Sequence, residues 1–245
     1  MDGFSRRLVE DLRTARHITV LTGAGVSAES GLATFRDPLT GLWARYRPED
    51  LATPEAFARD PALVWAWYRE RRALARRAEP NPAHRALARL EAVGPILTLI
   101  TQNVDGLHRR AGSREPLELH GNLFRTRCTR EGTVREVDVE DADGGLPRCP
   151  DCGSLLRPDV VWFGEALPGP VLERAWDAAQ ACEVFFSIGT SHQVYPAAAL
   201  PAVAATAGAK VVVIDPGNAP GIPGLTHLRG RAAELLPPLL AAAWP

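Results

Sequence analysis

The sequence is nearly without lysine: Lys210 stands alone among basic residues that are otherwise arginine. That bias fits codon usage or a hot habitat equally well and implies no mechanism. Cysteine is scarce too, with four in 245 residues, too few and too unevenly placed for the disulfide framework of a small secreted protein. No apolar run reaches the about 18 residues that a membrane helix needs. The opening stretch "MDGFSRRLVEDLRTAR" alternates charged and apolar residues as an amphipathic helix does, unlike the basic-then-apolar order of a signal peptide, so a cytoplasmic location is the default expectation. An excess of either charge is also missing. Lys and Arg number 28 against 29 Asp and Glu, a net charge of -1, which gives no reason to expect nucleic acid or a membrane surface as the main partner. There is no internal repeat and no low-complexity linker, and nothing fixes the oligomeric state.

What is present reads as a soluble α/β chain. Hydrophobic residues make up 46% and charged residues 23%, the balance of a globular core with a solvated surface. The runs "HITVLT" (17–22), "PILTLIT" (95–101), "EVFFSIG" (183–189) and "AKVVVID" (209–215) are β-branched and apolar on both faces, as strands are where helices cover both sides of a parallel sheet. Apolar residues recurring at three and four predict helices over 5–15, 82–93, 170–181, 196–207 and 232–243. The fold class is therefore α/β, doubly wound. Two stretches interrupt the alternation. Residues 38–80 hold no strand candidate and turn helical from about Pro61, within "PEAFARDPALVWAWYRERRALARRAEP". Residues 124–158 hold three of the cysteines, the acidic run "VDVEDADGG" and nothing long enough for a helix. Both read as insertions that build a smaller domain beside the sheet.

Directly after the first strand comes "TGAGVSAESG" (22–31), in which Gly23, Gly25 and Ala28 keep the spacing G-x-G-x-x-G/A. Such glycines let backbone N–H groups approach a pyrophosphate, with a helix N-terminus behind them; a purely structural turn has the same appearance. No second βα unit follows within about 20 residues to offer an acid to an adenine ribose, so a nucleotide would be held differently from one in an ordinary dehydrogenase. "TQNVDGLHRRAG" (101–112) sets Gln102, Asn103, Asp105 and His108 where a buried strand runs out. Asn, Asp and Gly are turn residues, and loops beyond strand ends are also where α/β proteins place ligand chemistry. "SIGTS" (187–191) and Asp215 in "VVVIDPGN" (211–218) add two more polar strand ends, as a crevice for a dinucleotide requires.

The cysteines suggest metal. "CPDC" (149–152) is a complete C-x-x-C knuckle, and "CTRE" (128–131) is half of one, with Glu131 at the fourth ligand position. Zinc held by Cys128, Cys149 and Cys152, with Glu131 or a water completing the tetrahedron, is one expectation; a lost site held together by packing is the other. Cys182, before a buried strand, is most simply a small core residue.

Together "GAGVSAESGLATFRD", "TQNVDGLHRRAG", "LELHG", "RPDVVWFGE" and "SIGTSHQVYP", in this order along nearly the whole chain, resemble the sirtuins, the NAD-dependent protein lysine deacylases. The resemblance implies a large Rossmann-like NAD-binding domain from 1–37, 81–123 and 159–245. Its small domain would combine a helical module, 38–80, with a zinc-ribbon module, 124–158. Gly23, Ala24, Gly25, Ser27, Phe35 and Arg36 would form the cofactor-binding loop, and Gln102, Asn103 and Asp105 the nicotinamide and ribose pocket. Gly189, Thr190 and Ser191 would hold the phosphate and ribose portion, with Asp215 and Ala232 completing the cofactor site. Val161, Trp162, Phe163, Gly164 and Glu165 would border the acyl-lysine channel. His120 matches the catalytic histidine, with Asn103 serving nicotinamide cleavage. Ala33 replaces a proline common in the family. Asp215 replaces an asparagine that usually meets the adenosine ribose; a carboxylate still accepts from two hydroxyls and repels a 2′-phosphate.

The implied reaction uses the substrate amide as a nucleophile. Its acyl oxygen attacks C1′ of the nicotinamide ribose as nicotinamide leaves, His120 acts as general base on a ribose hydroxyl, and water releases free lysine and O-acyl-ADP-ribose. Asn103 and Asp105 would fix the nicotinamide amide and a water, and Phe35 would shield the ribose face. The partners are then acylated lysines of other proteins. Mono-ADP-ribosyl transfer on the same fold is an alternative, opposed by retention of His120 and "VVWFGE"; a non-catalytic NAD or ADP-ribose-binding module is another.

The acyl group itself is addressed by "WAWYRERRAL" (65–74). On a helix Tyr68 and Arg71 share a face, a phenol beside a guanidinium. A run with Arg69, Arg71, Arg72, Arg76 and Arg77 also reads as a solvated helix face, and Tyr68 near Trp65 and Trp67 as core. With "DLATPEAF" upstream, the pair is similar to the class III sirtuins, in which it binds the carboxylate of succinyl-, malonyl- or glutaryl-lysine and a small residue matching Ala52 leaves room. The resemblance therefore implies desuccinylation alongside deacetylation.

Overall fold

The computed structural model describes residues 4–33, 46–136, 145–217 and 219–244. Ser5 caps α1 (Arg6–Thr14) by accepting from the Leu8 N–H at 3.2 Å, and Leu8 and Leu12, about one turn apart, are the residues that the helix buries. β1 (His17–Thr22) leads into a single helical turn, α2 (Gly25–Ala28). The next described helices are α3 (Pro48–Leu51), α4 (Pro54–Arg59) and α5 (Pro61–Arg77). The pattern predicted helix only from about Pro61. α4 precedes it because Thr53 accepts from the Ala56 N–H at 3.1 Å and Pro54 fills a first-turn position that needs no N–H. Asp60 ends α4 and caps α5 through the Leu63 N–H at 2.9 Å.

α6 (Pro82–Val93), capped by Asn81, is followed by β2 (Ile96–Thr101), α7 (Leu107–Arg110) and β3 (Leu117–Glu118). β4 (Gly121–Cys128), β5 (Val134–Arg135) and β6 (Leu156–Val160) pair antiparallel as a separate small sheet. α8 (Gly169–Ala181) and β7 (Val184–Ile188) return to the main sheet. Where one helix was predicted over 196–207, a 3-10 turn at Ala197–Ala199 precedes α9 (Leu200–Thr206). Pro201 has no N–H, which suits the first turn of α9, where none is needed. β8 (Lys210–Ile214), β9 (Thr226–Leu228) and α10 (Ala232–Ala243) follow.

The large sheet is parallel, in the order β3-β2-β1-β7-β8-β9. Alternate residues of its central strands face opposite layers. Val20, Phe186 and Val212 pack with Leu12, Leu87 and Leu236 of α1, α6 and α10, whereas Leu21, Phe185 and Val213 pack with Ala175, Leu200 and Ala204 of α8 and α9. Each buried Leu, Val or Phe contributes about 1.5–3 kcal/mol, so both layers are needed to hold the sheet. A third cluster, with Phe57, Trp65, Trp67, Tyr68 and Trp162, joins α4 and α5 to the small sheet, and the Trp65 indole donates to the Leu156 carbonyl at 2.9 Å.

Chain order reverses between β1 and β7, since the strands run outward from β1 to β3 on one side and from β7 to β9 on the other. In open parallel sheets the crevice beyond such a switch point is where ligands bind. Arg125 ties the two sheets together: Nη1 donates to Glu118 Oε2 at 2.7 Å, on edge strand β3, and Nε to Asp159 Oδ2 at 2.9 Å, on β6. Among the described residues no helix is long and apolar enough to cross a membrane.

Candidate active site

At the switch point two strand-end loops touch backbone to backbone. The Gly23 N–H donates to the Ile188 carbonyl at 3.0 Å and the Gly25 N–H to the Gly189 carbonyl at 2.9 Å. A Cβ on Gly25 would sit 2.7 Å from the Gly189 Cα, and Gly189 itself has φ +59. The glycines of the G-x-G spacing therefore serve first to let the loops after β1 and β7 pack, with their own N–H groups directed at protein carbonyls. The helix behind them is one turn long.

Ser27, on that turn, is the hub of a buried network. Its hydroxyl donates to Asp105 Oδ2 at 2.8 Å and accepts from Asn103 Nδ2 at 3.0 Å. His84 Nε2 lies 3.4 Å away. Because His84 Nδ1 accepts from the Asn81 N–H at 3.3 Å, the neutral ring carries its proton on Nε2, toward Ser27. One donated and two accepted bonds saturate a hydroxyl. Asp105 Oδ1 accepts from the Leu107 N–H at 2.8 Å, and burial, opposed by these bonds, raises the carboxyl above its usual range. Asn103 is half-buried, with its amide N–H on Thr101 Oγ1 at 3.0 Å. Gln102, also half-buried, is held by its N–H on the Thr22 carbonyl.

His120 follows β3. Its Nδ1 is 3.0 Å from the Gln102 carbonyl. A carbonyl only accepts, so Nδ1 carries the proton of the neutral ring and Nε2 keeps the lone pair. Burial lowers the pKa of His120, with the Gln102 bond opposing, so at neutral pH the ring is a free base. The next residue, Gly121, has φ +80, and a Cβ there would overlap the Asp159 carbonyl. This turn fixes where the imidazole stands.

The predicted acyl-channel residues are linked to His120 through the backbone. The Val161 N–H donates to the His120 carbonyl at 2.9 Å, and the Phe163 N–H to the Ala52 carbonyl at 2.9 Å. Phe163 is exposed, as is Gly164, whereas Ala52, Trp162 and Tyr68 are buried. The Trp162 indole donates to the Tyr68 hydroxyl at 2.9 Å. The Arg71 guanidinium stacks on Trp67 at 4.8 Å and lies 5.8 Å from the Tyr68 ring centroid. Desolvation lowers the pKa of Arg71, while Tyr68 and Asp105 oppose that shift; guanidinium remains charged at any physiological pH. Glu165 is half-buried and paired with Arg157 at 2.5 Å.

On the other side of the crevice Thr190 is buried, with its hydroxyl 3.2 Å from that of Ser187. Ser191 is exposed and accepts from the Gln193 N–H at 3.3 Å. Asp215, half-buried at the end of β8, accepts from the Gly217 N–H at 2.7 Å through Oδ1. Its Oδ2 has no hydrogen bond among the described residues and is left as an acceptor. Ala232 is buried at the start of α10, and the neighbouring Ala233 N–H donates to Glu29. Ala24 lies in the loop between Gly23 and Gly25. Phe35 and Arg36 lie outside the described residues.

Away from the crevice Cys128, Cys149, Cys152 and Glu131 converge, their ligand atoms all within 4.8 Å of one another. Cys128 Sγ and Cys152 Sγ are 3.4 Å apart. Sulfurs at about 2.3 Å from a tetrahedral zinc lie about 3.8 Å from each other, so the set fits zinc, with Glu131 completing the three thiolates. Cys182 is a buried core residue at the end of α8.

Sequence pattern alone left four site residues unassigned. His84 and His108 pack behind Ser27 with ring centroids 4.8 Å apart. Arg110 donates to the carbonyls of Ala75 at 2.9 Å and Ala78 at 2.7 Å, pinning the C-terminal end of α5 to the loop of Asp105. Arg157 stacks on Trp162. Of these His108 stands among the polar residues that follow β2 in "TQNVDGLHRRAG", and His84 is the third residue after the Asn81 cap in "NPAH".

The profile of the Sir2 family matches residues 23–196. An NAD-dependent protein deacylase of Methylococcus capsulatus is 53% identical over 98% of this chain and 97% of its own length. NAD-dependent protein deacylase 1 of Pseudomonas aeruginosa is 51% identical over 98% of this chain and 99% of its own. Among solved structures, a Sir2 homologue in complex with NAD superposes with a TM-score of 0.92 at 46% identity, covering 98% of this chain and 94% of that one. A Sir2–p53 peptide–NAD+ complex superposes with a TM-score of 0.84 at 32% identity, covering 98% of both.

Proposed function

We infer the activity from one premise: the chain belongs to the Sir2 family. It is an NAD-dependent protein deacylase that acts on acylated lysine side chains of other proteins. The observation that carries this is the placement of His120, with a free Nε2, at the same sheet edge as the Ser27–Asn103–Asp105 network.

NAD, when bound, supplies a ribose whose C1′ bears nicotinamide as a leaving group, which lets a secondary amide react through its oxygen. Asn103 and Asp105 bind the nicotinamide end, oriented by Ser27. His120 takes a proton from a ribose hydroxyl at Nε2, with the Gln102 carbonyl holding the Nδ1 proton and stabilising the charge that results. Gly189, Thr190, Ser191 and Asp215 hold the phosphate and adenosine portion, Asp215 through its ribose hydroxyls. Val161 to Glu165 form the wall along which the acyl-lysine enters. Zinc, held by Cys128, Cys149, Cys152 and Glu131, contributes folding energy to the small sheet and takes no part in the chemistry.

The acyl group is acidic as well as acetyl. Supporting this are the charged Arg71, 5.8 Å from the ring centroid of the buried Tyr68, and the small Ala52 hydrogen-bonded to the channel loop. His120→Ala tests the assignment of the base. Deacylation should be abolished while NAD affinity stays within a small factor, because the base acts after ground-state binding. Near-wild-type turnover would remove His120 from the role. Asn103→Ala should instead impair nicotinamide cleavage; a change confined to the KM for peptide would show that the nicotinamide pocket is misplaced.

A further inference from the structure

Tyr68 is 1% exposed, yet its phenol proton has no acceptor among the described residues. The hydrogen bond at its oxygen comes from Trp162 Nε1 at 2.9 Å, and an indole nitrogen only donates. The Tyr68 oxygen is thus the acceptor, and its O–H must point away from Trp162. A buried donor without an acceptor costs free energy, so this one is suited to a ligand that brings an acceptor. Burial raises the pKa of Tyr68, which keeps the proton in place across the neutral range.

Trp162 is itself held firmly. Its backbone N–H donates to Glu165 Oε2 at 2.8 Å. Glu165 receives two bonds from Arg157, at 2.5 and 2.9 Å. The Arg157 guanidinium lies 3.4 Å over the Trp162 ring, and Phe57 packs on that ring with centroids 5.4 Å apart.

We propose that Trp162, held by Arg157 and Glu165, is a positioning residue for acyl selectivity: its indole N–H occupies the acceptor side of the Tyr68 hydroxyl and so presents the phenol proton to the anionic end of an acidic acyl chain beside Arg71. An unconstrained phenol rotor offers donor and acceptor faces alike, and a carboxylate uses only the donor. Fixing the rotor beforehand removes an ordering cost from binding. The inference rests on the acidic-acyl reading above.

Trp162→Phe keeps a ring beneath Arg157 and against Phe57 but deletes the N–H. Steady-state kinetics on succinyl- and acetyl-lysine forms of one peptide give the readout. The succinyl-to-acetyl ratio of kcat/KM should fall about five-fold or more, chiefly through the KM of the succinyl peptide. In a Tyr68→Phe background the same replacement should leave that ratio unchanged, because no hydroxyl remains to orient. If Trp162 were merely structural, both substrates would lose rate together and the ratio would hold in either background, which overturns the proposal. Should Trp162→Phe fail to fold, Glu165→Gln loosens the same loop and should lower the ratio; an unchanged ratio overturns the proposal equally. Wild-type protein inactive on succinyl-lysine overturns both this inference and the acidic-acyl reading, whereas a wild-type desuccinylase whose ratio ignores Trp162 overturns this inference alone.

Discussion

The imidazoles of His84 and His108 lie 4.8 Å apart, centroid to centroid, directly behind the Ser27 hub. Both are buried, and burial is the main reason that His84 is pushed down to about 4 and His108 to about 3; Arg85 adds to the first shift and His84 to the second. His108 Nε2 meets Thr22 Oγ1 at 2.9 Å, while its Nδ1 has no hydrogen-bond partner among the described residues. Neither ring can accept a second proton without placing charge in the core.

In the unfolded chain both histidines titrate near the ordinary value of about 6.5, so between there and about 3 the unfolded state binds more protons than the native one. Stability from this pair is therefore complete above the unfolded pKa and is lost as pH falls toward the native values. A tenfold weakening of proton affinity on folding is worth about 1.4 kcal/mol, so a loss of several kcal/mol is expected as pH falls from about 6.5 to about 4. Denaturant titrations at a series of pH values should show it, and His108→Gln should flatten the slope. A slope that His108→Gln leaves unchanged would assign the acid sensitivity to other groups.

Arg71 supplies the second prediction. Arg71→Met should reduce succinyl-lysine turnover tens-fold more than acetyl-lysine turnover, because a carboxylate left in the channel without its charged partner is heavily penalised. Equal losses on both substrates would mean that Arg71, stacked on Trp67, supports the helix and not the ligand.

Metal gives the third. Purified protein should carry zinc in equimolar amount, and Cys149→Ser should lower the Tm and speed proteolysis of the small sheet, since zinc binding is linked to folding. Full stability in chelator would show that the Cys128–Glu131 half of the site no longer holds an ion.

Much of this was legible in the chain because it depends on local order. Runs such as "HITVLT" and "AKVVVID" are apolar on both faces, and β1 and β8 are buried from their second residue onward. The polar residues that follow each strand stand in the crevice because parallel strands put their C-terminal ends at one edge. Pairings between distant segments were not legible. Nothing in "RPDVVWFGE" states that Trp162 will meet Tyr68, 94 positions away, nor does "FRTRC" state that Arg125 will bridge Glu118 and Asp159. The purpose of Gly23 and Gly25 was only half visible, since the spacing advertises a phosphate loop and conceals the contact with Gly189.

The most direct test of the central claim is to follow nicotinamide release from NAD with and without an acyl-lysine peptide. Release should depend on the peptide and match freed lysine and O-acyl-ADP-ribose mole for mole. Release that ignores the peptide, ADP-ribose transferred to protein, or NAD binding without turnover would contradict it.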